Sequence, residues 1–246
     1  MSAELGERTR ADGAAVLAGA VLWDLRLQAR YQILTVAAAI TALYCVVFQL
    51  VPESVLDRLT VVLIFSDPTT IGFLFVGVLV LFERGAGTLQ AVIVSPLSPG
   101  QYLWSKALSL TAVAVVCAVV MAVVGQRGFG FDIALIVVAT ALTSVLLVLI
   151  GFSAVVRVRS VNAYLVIVPL FLLPLILPLL PVLGLVESPA FYLIPTTGSV
   201  VLLDAAVADR PLWEIGYGVG VLLVAIALAH RWALASFEQR VRRTGG

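Results

Sequence analysis

Charge is scarce in this 246-residue chain, where Asp, Glu, Lys and Arg make up 12% of residues, against about 25% in an ordinary soluble domain. With 62% hydrophobic residues and a mean hydropathy of +1.14, the composition excludes a water-soluble globular domain and places the chain in a membrane. The two cysteines, Cys45 and Cys117, both fall inside apolar runs, where they read as small buried hydrophobes and not as a disulfide framework. A single histidine, His230, and no Cys/His cluster leave no metal site to read. The one lysine, Lys106, follows Trp104-Ser105 and not a glycine loop, so no Gly-x-x-x-x-Gly-Lys-Ser/Thr is present to cradle a nucleotide. Gly-x-Ser-x-Gly is also missing, which argues against an intramembrane hydrolase. Met1 to Asp12 is polar, so no cleavable secretory signal is expected.

What is present is a series of apolar runs near the ~20 residues that carry a helix across a hydrocarbon core. They lack the sustained alternation of a membrane β-strand, and the expected class is an all-α membrane protein. Before the first run, residues 14–32 read as an amphipathic helix: Leu17, Val21 and Leu25 recur at helical spacing, while Asp24, Arg26, Gln28 and Arg30 fill polar positions. Trp23 and Tyr31 suit the headgroup region, so this helix is expected to lie on the membrane surface. A soluble helix packed on a partner is the other reading of the pattern.

Six spans are expected, at about 33–51, within 59–82, at 99–124, 133–156, 161–180 and 212–235. Ser66-Asp67-Pro68 interrupts the second, with Asp67 reading as an N-cap before a first-turn proline, and it stays open whether 59–66 belongs to that span. Ser98, Pro99 and Gln101 form a capping box that opens the third, with Trp104 and Lys106 at the membrane boundary. Pro169, Pro174 and Pro178 require the fifth to bend or break, with neighbours satisfying the freed carbonyls. Between the last two spans, Phe191 to Ile194 and Val200 to Leu203 predict short re-entrant helices dipping into the outer interface. The expected organisation is a polar tail (1–13), an interfacial helix (14–32), a six-span domain (33–236) with segments 84–99 and 187–211 outside the spans, and a basic tail (237–246).

The basic residues orient this layout. Arg8, Arg10, Arg26, Arg30, Arg84, Lys106, Arg157, Arg159, Arg231, Arg240, Arg242 and Arg243 fall on one side, and only Arg58, Arg127 and Arg210 on the other. By the positive-inside rule the first side is cytoplasmic, with both termini on it. Glu53, Asp57, Asp132, Glu187, Asp204 and Asp209 all fall outside.

The stretch from Glu83 to Pro99 then becomes a cytoplasmic excursion between the second and third spans. Gly85 and Gly87 free the backbone for a sharp exit, Thr88 caps a short helix over 89–94, and Ser95-Pro96 ends it. Leu89, Val92 and Ile93 make one apolar face, the form of a plug for a groove on another protein.

Glu83, Gly87-Thr88-Leu89, Ser95-Pro96-Leu97-Ser98 and Lys106 together resemble the signature of type-2 ABC transporter permeases, including drug and fluoroquinolone exporters. The resemblance spans nearly the whole chain in layout, while its specific motif is confined to residues 83–106. It implies a homodimer or heterodimer with a second permease chain, identical or homologous, in the bacterial plasma membrane. It further implies two separate ATP-binding-cassette subunits that carry ATP and Mg, no cofactor on this chain, no enzymatic role for it and no nucleic acid. Gly87, Thr88, Leu89, Val92, Ile93, Ser95 and Pro96 would be the coupling helix and its caps, with Glu83 at the boundary of the second span. Gln90 stands where the family commonly has Glu, which weakens the expectation of a charged contact there.

Glu83 reads either as a force-transmitting acid paired with an arginine or as an acid marking the membrane surface. Tyr44, Phe48, Phe75, Phe171 and Tyr192 are candidates for an apolar substrate route, although an aromatic in a span usually packs in the core or faces lipid. Gly216 and Gly220 form a Gly-x-x-x-Gly that, with Gly218, could seat another helix. The sequence reveals no buried charged site, so an amphipathic or apolar compound is the expected cargo. A lipid-linked glycan, haem or a peptide are the alternatives, and a passive membrane anchor for a peripheral partner is the non-transport reading.

Overall fold

The computed structural model describes residues 2–87, 97–126, 131–186, 188–208 and 210–244, and every regular element among them is helical. Helix α1 covers Ser2–Arg30, so the expected tail is continuous with the helix instead of preceding it. The chain turns at Gln32, whose backbone is left-handed (φ 58°), and enters α2, Ile33–Leu50.

After a short 3-10 turn at Glu53–Val55, α3 (Leu56–Pro68), a π-helical turn (Thr69–Leu74) and α4 (Phe75–Gly85) follow without a break. Glu53–Gly85 is therefore one 33-residue span that includes 59–66. Asp67 caps nothing: it lies inside this continuous helix, and Pro68 is accommodated by the wide turn that follows it. A proline removes one intrahelical donor, and a π-turn is one way for a helix to absorb that loss and continue.

Helix α5 (Pro99–Gly125) opens as the capping pattern requires, with Ser98 accepting from the Gln101 amide and the Gln101 side chain accepting from Ser98 N. Asp132 caps α6 (Ile133–Val155) by accepting from the amides of Ala134 and Leu135. The expected fifth span is in two pieces, α7 (Val161–Ile176) and α8 (Leu179–Val182), separated at Pro178. The Thr196 hydroxyl donates to the Leu175 carbonyl at that break, over 2.6 Å. At 16 residues, α7 rises about 24 Å. Among the described residues, five helices are long and apolar enough to cross a membrane: Ile33–Leu50, Glu53–Gly85, Pro99–Gly125, Ile133–Val155 and Leu212–Phe237. This is a multi-pass membrane protein.

A 3-10 turn at Pro189–Leu193 leads to α9, Thr196–Val207, and then α10, Leu212–Thr244, which runs unbroken into the expected basic tail. Helix α9 does not spend its apolar residues on an interface with lipid. Leu202 and Leu203 are buried, and the helix packs on α10 and α6. The closest approach is between Gly198 and Gly218, where a Cβ on Gly198 would lie 2.7 Å from the Gly218 carbonyl oxygen. Gly216 and Gly220, the expected packing pair, have open space around them.

Helix α6 is the centre of the bundle, with α5, α10, α9 and the π-turn arranged around it. Ala139, Leu147, Val148, Leu149 and Ala154 are wholly enclosed. By contrast, α2 and α7 present outward rows of large apolar side chains, including Leu43, Val46, Leu50, Leu165, Val166 and Leu170. Such faces are stable in a lipid solvent and costly in water.

Candidate functional site

The end of the bundle that carries Glu83 is held by a buried charge cluster. Lys106 of α5 extends its ammonium to the carboxylates of Asp24 on α1 and Glu83 on α4, and all three side chains are almost fully buried. Tyr102, one turn before Lys106, donates from its phenol to the other oxygen of Glu83 over 2.6 Å, and its ring lies 4.9 Å from the ammonium. Gln28, one turn beyond Asp24, donates to Ser109 over 2.8 Å. Gln101 reaches the Gly13 carbonyl over 3.2 Å. Helix α1 is thus fastened along α5 at three levels by polar contacts.

These contacts overturn two expectations. Lys106 is 1% exposed, so the protein does contain a buried charged site. The polar residues of α1 do not all face away from the bundle, since Asp24 and Gln28 point into it while Leu22 and Trp23 are exposed. A readable signal existed: residues 17, 21, 24 and 28 follow the 4-3-4 spacing of one helix face, so Asp24 and Gln28 extend the stripe begun by Leu17 and Val21. Tyr102 and Ser109 had no such signal, because their partners lie on other helices.

One lysine faces two acids, so the cluster carries an excess of negative charge. Burial raises the Asp24 carboxyl above its ordinary value, while the neighbouring Lys106 pulls it down. Breaking such a cluster by removing its cation leaves two desolvated carboxylates, a loss of about 3–5 kcal/mol. Its physical effect is to lock the last turn of α4 to α5 and α1 at once.

Immediately after Glu83 the chain is pinned again. Arg84 donates to the Val158 carbonyl, in the turn that follows α6, over 2.6 Å. The neighbouring Arg157 stacks its guanidinium 5.0 Å from the Trp232 ring of α10. Helix α4 ends at Gly85, and Gly87, just past its cap, has a φ of +73°, the left-handed conformation that glycine adopts at no cost. On the far side, Leu97 packs against the core and Ser98 caps α5. Thr88, Leu89, Val92, Ile93, Ser95 and Pro96 lie outside the described residues. What is fixed is the root of that segment, at both ends.

A family model described as the fluoroquinolones export permease protein family matches residues 15–244. The chain belongs to that family. Two fluoroquinolones export permease proteins of Mycobacterium tuberculosis, from strains CDC 1551 / Oshkosh and ATCC 25618 / H37Rv, are each 32% identical to it over 234 residues, 94% of this chain and 98% of theirs. The likeness to type-2 ABC permeases seen in residues 83–106 thus extends to family membership over most of the chain. Within this fluoroquinolone export permease family member, the matched range takes in Asp24, Glu83 and Lys106 together.

The aromatic candidates for a substrate route do not share one cavity. Tyr192 lines a cavity of about 650 Å³ at the end opposite Glu83, with Arg58, Asp204, Arg210 and Glu214. There Arg210 is engaged by Asp204 at 2.5 Å and Glu214 at 3.6 Å. Phe171 lines a separate apolar cleft of about 440 Å³ with Pro174, Ala225 and Trp232. Phe48 is enclosed against Gly125, and Tyr44 and Phe75 are half-buried, none of the three lining either space.

Proposed function

We propose that this chain is the permease subunit of an ATP-driven exporter that moves amphipathic, fluoroquinolone-like compounds out of the cytoplasm or inner leaflet of a bacterial plasma membrane. Six spans make up the pathway, the fifth being the broken pair α7 and α8, with α1 on the cytoplasmic surface and both termini inside. Residues 84–99 form the coupling segment that seats in a groove of an ATP-binding-cassette subunit. Two such subunits bind ATP and Mg, and a second permease chain completes the pathway.

The observation that carries this reading is the Lys106 cluster. A docking segment transmits force only if its root cannot slip, and Glu83 and Arg84 fix that root to α1, to α5 and to the turn at Val158. A passive anchor needs an exposed plug but no such rigid connection to three other elements. Family membership and the names of the relatives support the same direction of transport.

The test is to extract the tagged chain mildly and identify, by mass spectrometry, a co-purifying chain with a phosphate-binding loop. Leu89→Asp, which places a charge in an apolar groove, should abolish its recovery. The reconstituted complex should then accumulate a fluoroquinolone in inverted vesicles only with hydrolysable ATP. Recovery of the partner without ATP-dependent uptake of any amphipathic compound would leave an anchor and sink the exporter reading.

A further inference from the structure

Asp67 is a third buried acid, and the cluster at Lys106 makes no use of it. It stands 14 residues after Glu53 and 18 before Gly85 in a continuous span, so about 21 and 27 Å of helix separate it from the two ends. Its side chain is fully enclosed, at 0% exposure, and among the described residues neither carboxyl oxygen has a hydrogen-bond partner. An ionised carboxylate so placed, without a counter-charge, is penalised by several kcal/mol. A helix that needed only a spacer here would carry an apolar residue, and intramembrane acids characteristically mark a pathway.

The surroundings favour a cationic occupant. Helix α2 packs on α3, the segment that carries Asp67, and on α5. Among the described residues no lysine or arginine is paired with it. Tyr44 is half-buried, on a helix that also carries exposed Leu43, Val46 and Leu50. The π-turn begins two residues later, at Thr69, and π-turns are local irregularities at which a span can change its winding. An acid and an aromatic at mid-span, beside such a turn, have the chemistry of a site for an organic cation.

We propose that Asp67 is the intramembrane recognition site for the positive charge of an amphipathic cation. This rests on the exporter reading and deepens it, because it makes charge a determinant of which compounds are carried.

The probes are tetraphenylphosphonium, a permanent apolar cation, and triphenylphosphine oxide, a neutral molecule of related shape. The full chain in native membranes is treated with dicyclohexylcarbodiimide, which modifies protonated carboxyls in apolar surroundings, and the adduct at Asp67 is read by peptide mass spectrometry. Tetraphenylphosphonium should slow labelling of Asp67 about tenfold, the worth of one modest charge contact, and triphenylphosphine oxide should leave it unchanged. Asp67→Asn should lose phosphonium binding by equilibrium dialysis while keeping the melting temperature of the wild type. Equal protection by both probes overturns the proposal, and so does undiminished phosphonium binding by Asp67→Asn, whether or not the wild type is labelled. Neither arm requires ATP or a partner subunit, so absence of ATP-driven uptake would count against the exporter reading alone.

Discussion

The phenol of Tyr164 on α7 donates to the backbone carbonyl of Phe73, inside the π-turn of the second span, over 2.5 Å. The same ring is stacked against Phe73 at 6.0 Å between centroids. A π-turn leaves carbonyls without the usual partner four residues on, and Tyr164 supplies one from a neighbouring helix. Tyr164→Phe should keep the ring and lose the bond, costing about 1–3 kcal/mol for a buried unsatisfied carbonyl. Unfolding of the detergent-solubilised protein would measure it, and an unchanged midpoint would show that the turn does not depend on this contact.

Gly77 exists for that ring. A Cβ there would lie 2.0 Å from Cε1 of Tyr164, so Gly77→Ala forces either the ring or α4 to move. Overpacking of this kind costs about 1–3 kcal/mol. Gly77→Ala combined with Tyr164→Ala should recover part of the loss, since the clash disappears with the ring. A double variant no better than the sum of the singles would place the strain elsewhere.

Lys106→Met should be among the most destabilising single changes in the chain, at about 3–5 kcal/mol, because it removes the ammonium that the buried Asp24 and Glu83 share. Adding Asp24→Asn and Glu83→Gln to it should restore most of the stability but not ATP-coupled uptake. If the triple variant transports normally, the cluster serves folding only.

Burial raises the Asp24 carboxyl above its ordinary 3.8, so Asp24 holds its proton more readily in the folded protein than in the unfolded chain. Its contribution to stability is therefore complete below that value and declines as pH climbs through the raised one. Asp24→Asn removes this decline. The stability difference between wild type and variant should fall with rising pH over that interval and then flatten, and a difference that grows with pH would contradict the assignment.

Gly198→Ala should destabilise the packing of α9 on α10, since its Cβ would meet backbone at 2.7 Å, and backbone cannot rotate away. Gly216→Ala and Gly220→Ala, with nothing nearby, should leave the unfolding midpoint of the chain unchanged. The opposite ranking would restore the Gly-x-x-x-Gly as the packing motif.

The sequence by itself determined the class and most of the element boundaries, because these follow from local physics. Long apolar runs dictate spans whatever their neighbours are. Ser98 and Gln101 start α5 through bonds made within four residues, and the fifth run breaks at Pro178, while Pro169 and Pro174 are held inside α7. The same locality explains the error at Asp67, whose capping pattern was present but was overridden when the helix continued through a π-turn.

Only the tertiary structure decided what the polar residues do. Lys106 reads as a boundary lysine until α1 and α4 are seen to bring carboxylates 82 and 23 residues away to its ammonium. Gly218, and not Gly216 or Gly220, meets a facing glycine, because the rotation of α10 about its axis is set by packing on α9 and α6. In a bilayer the apolar pattern fixes that a helix inserts but not which way it faces, since lipid and protein interior are equally apolar. The few polar side chains choose the face, and their choice is a property of the assembled bundle.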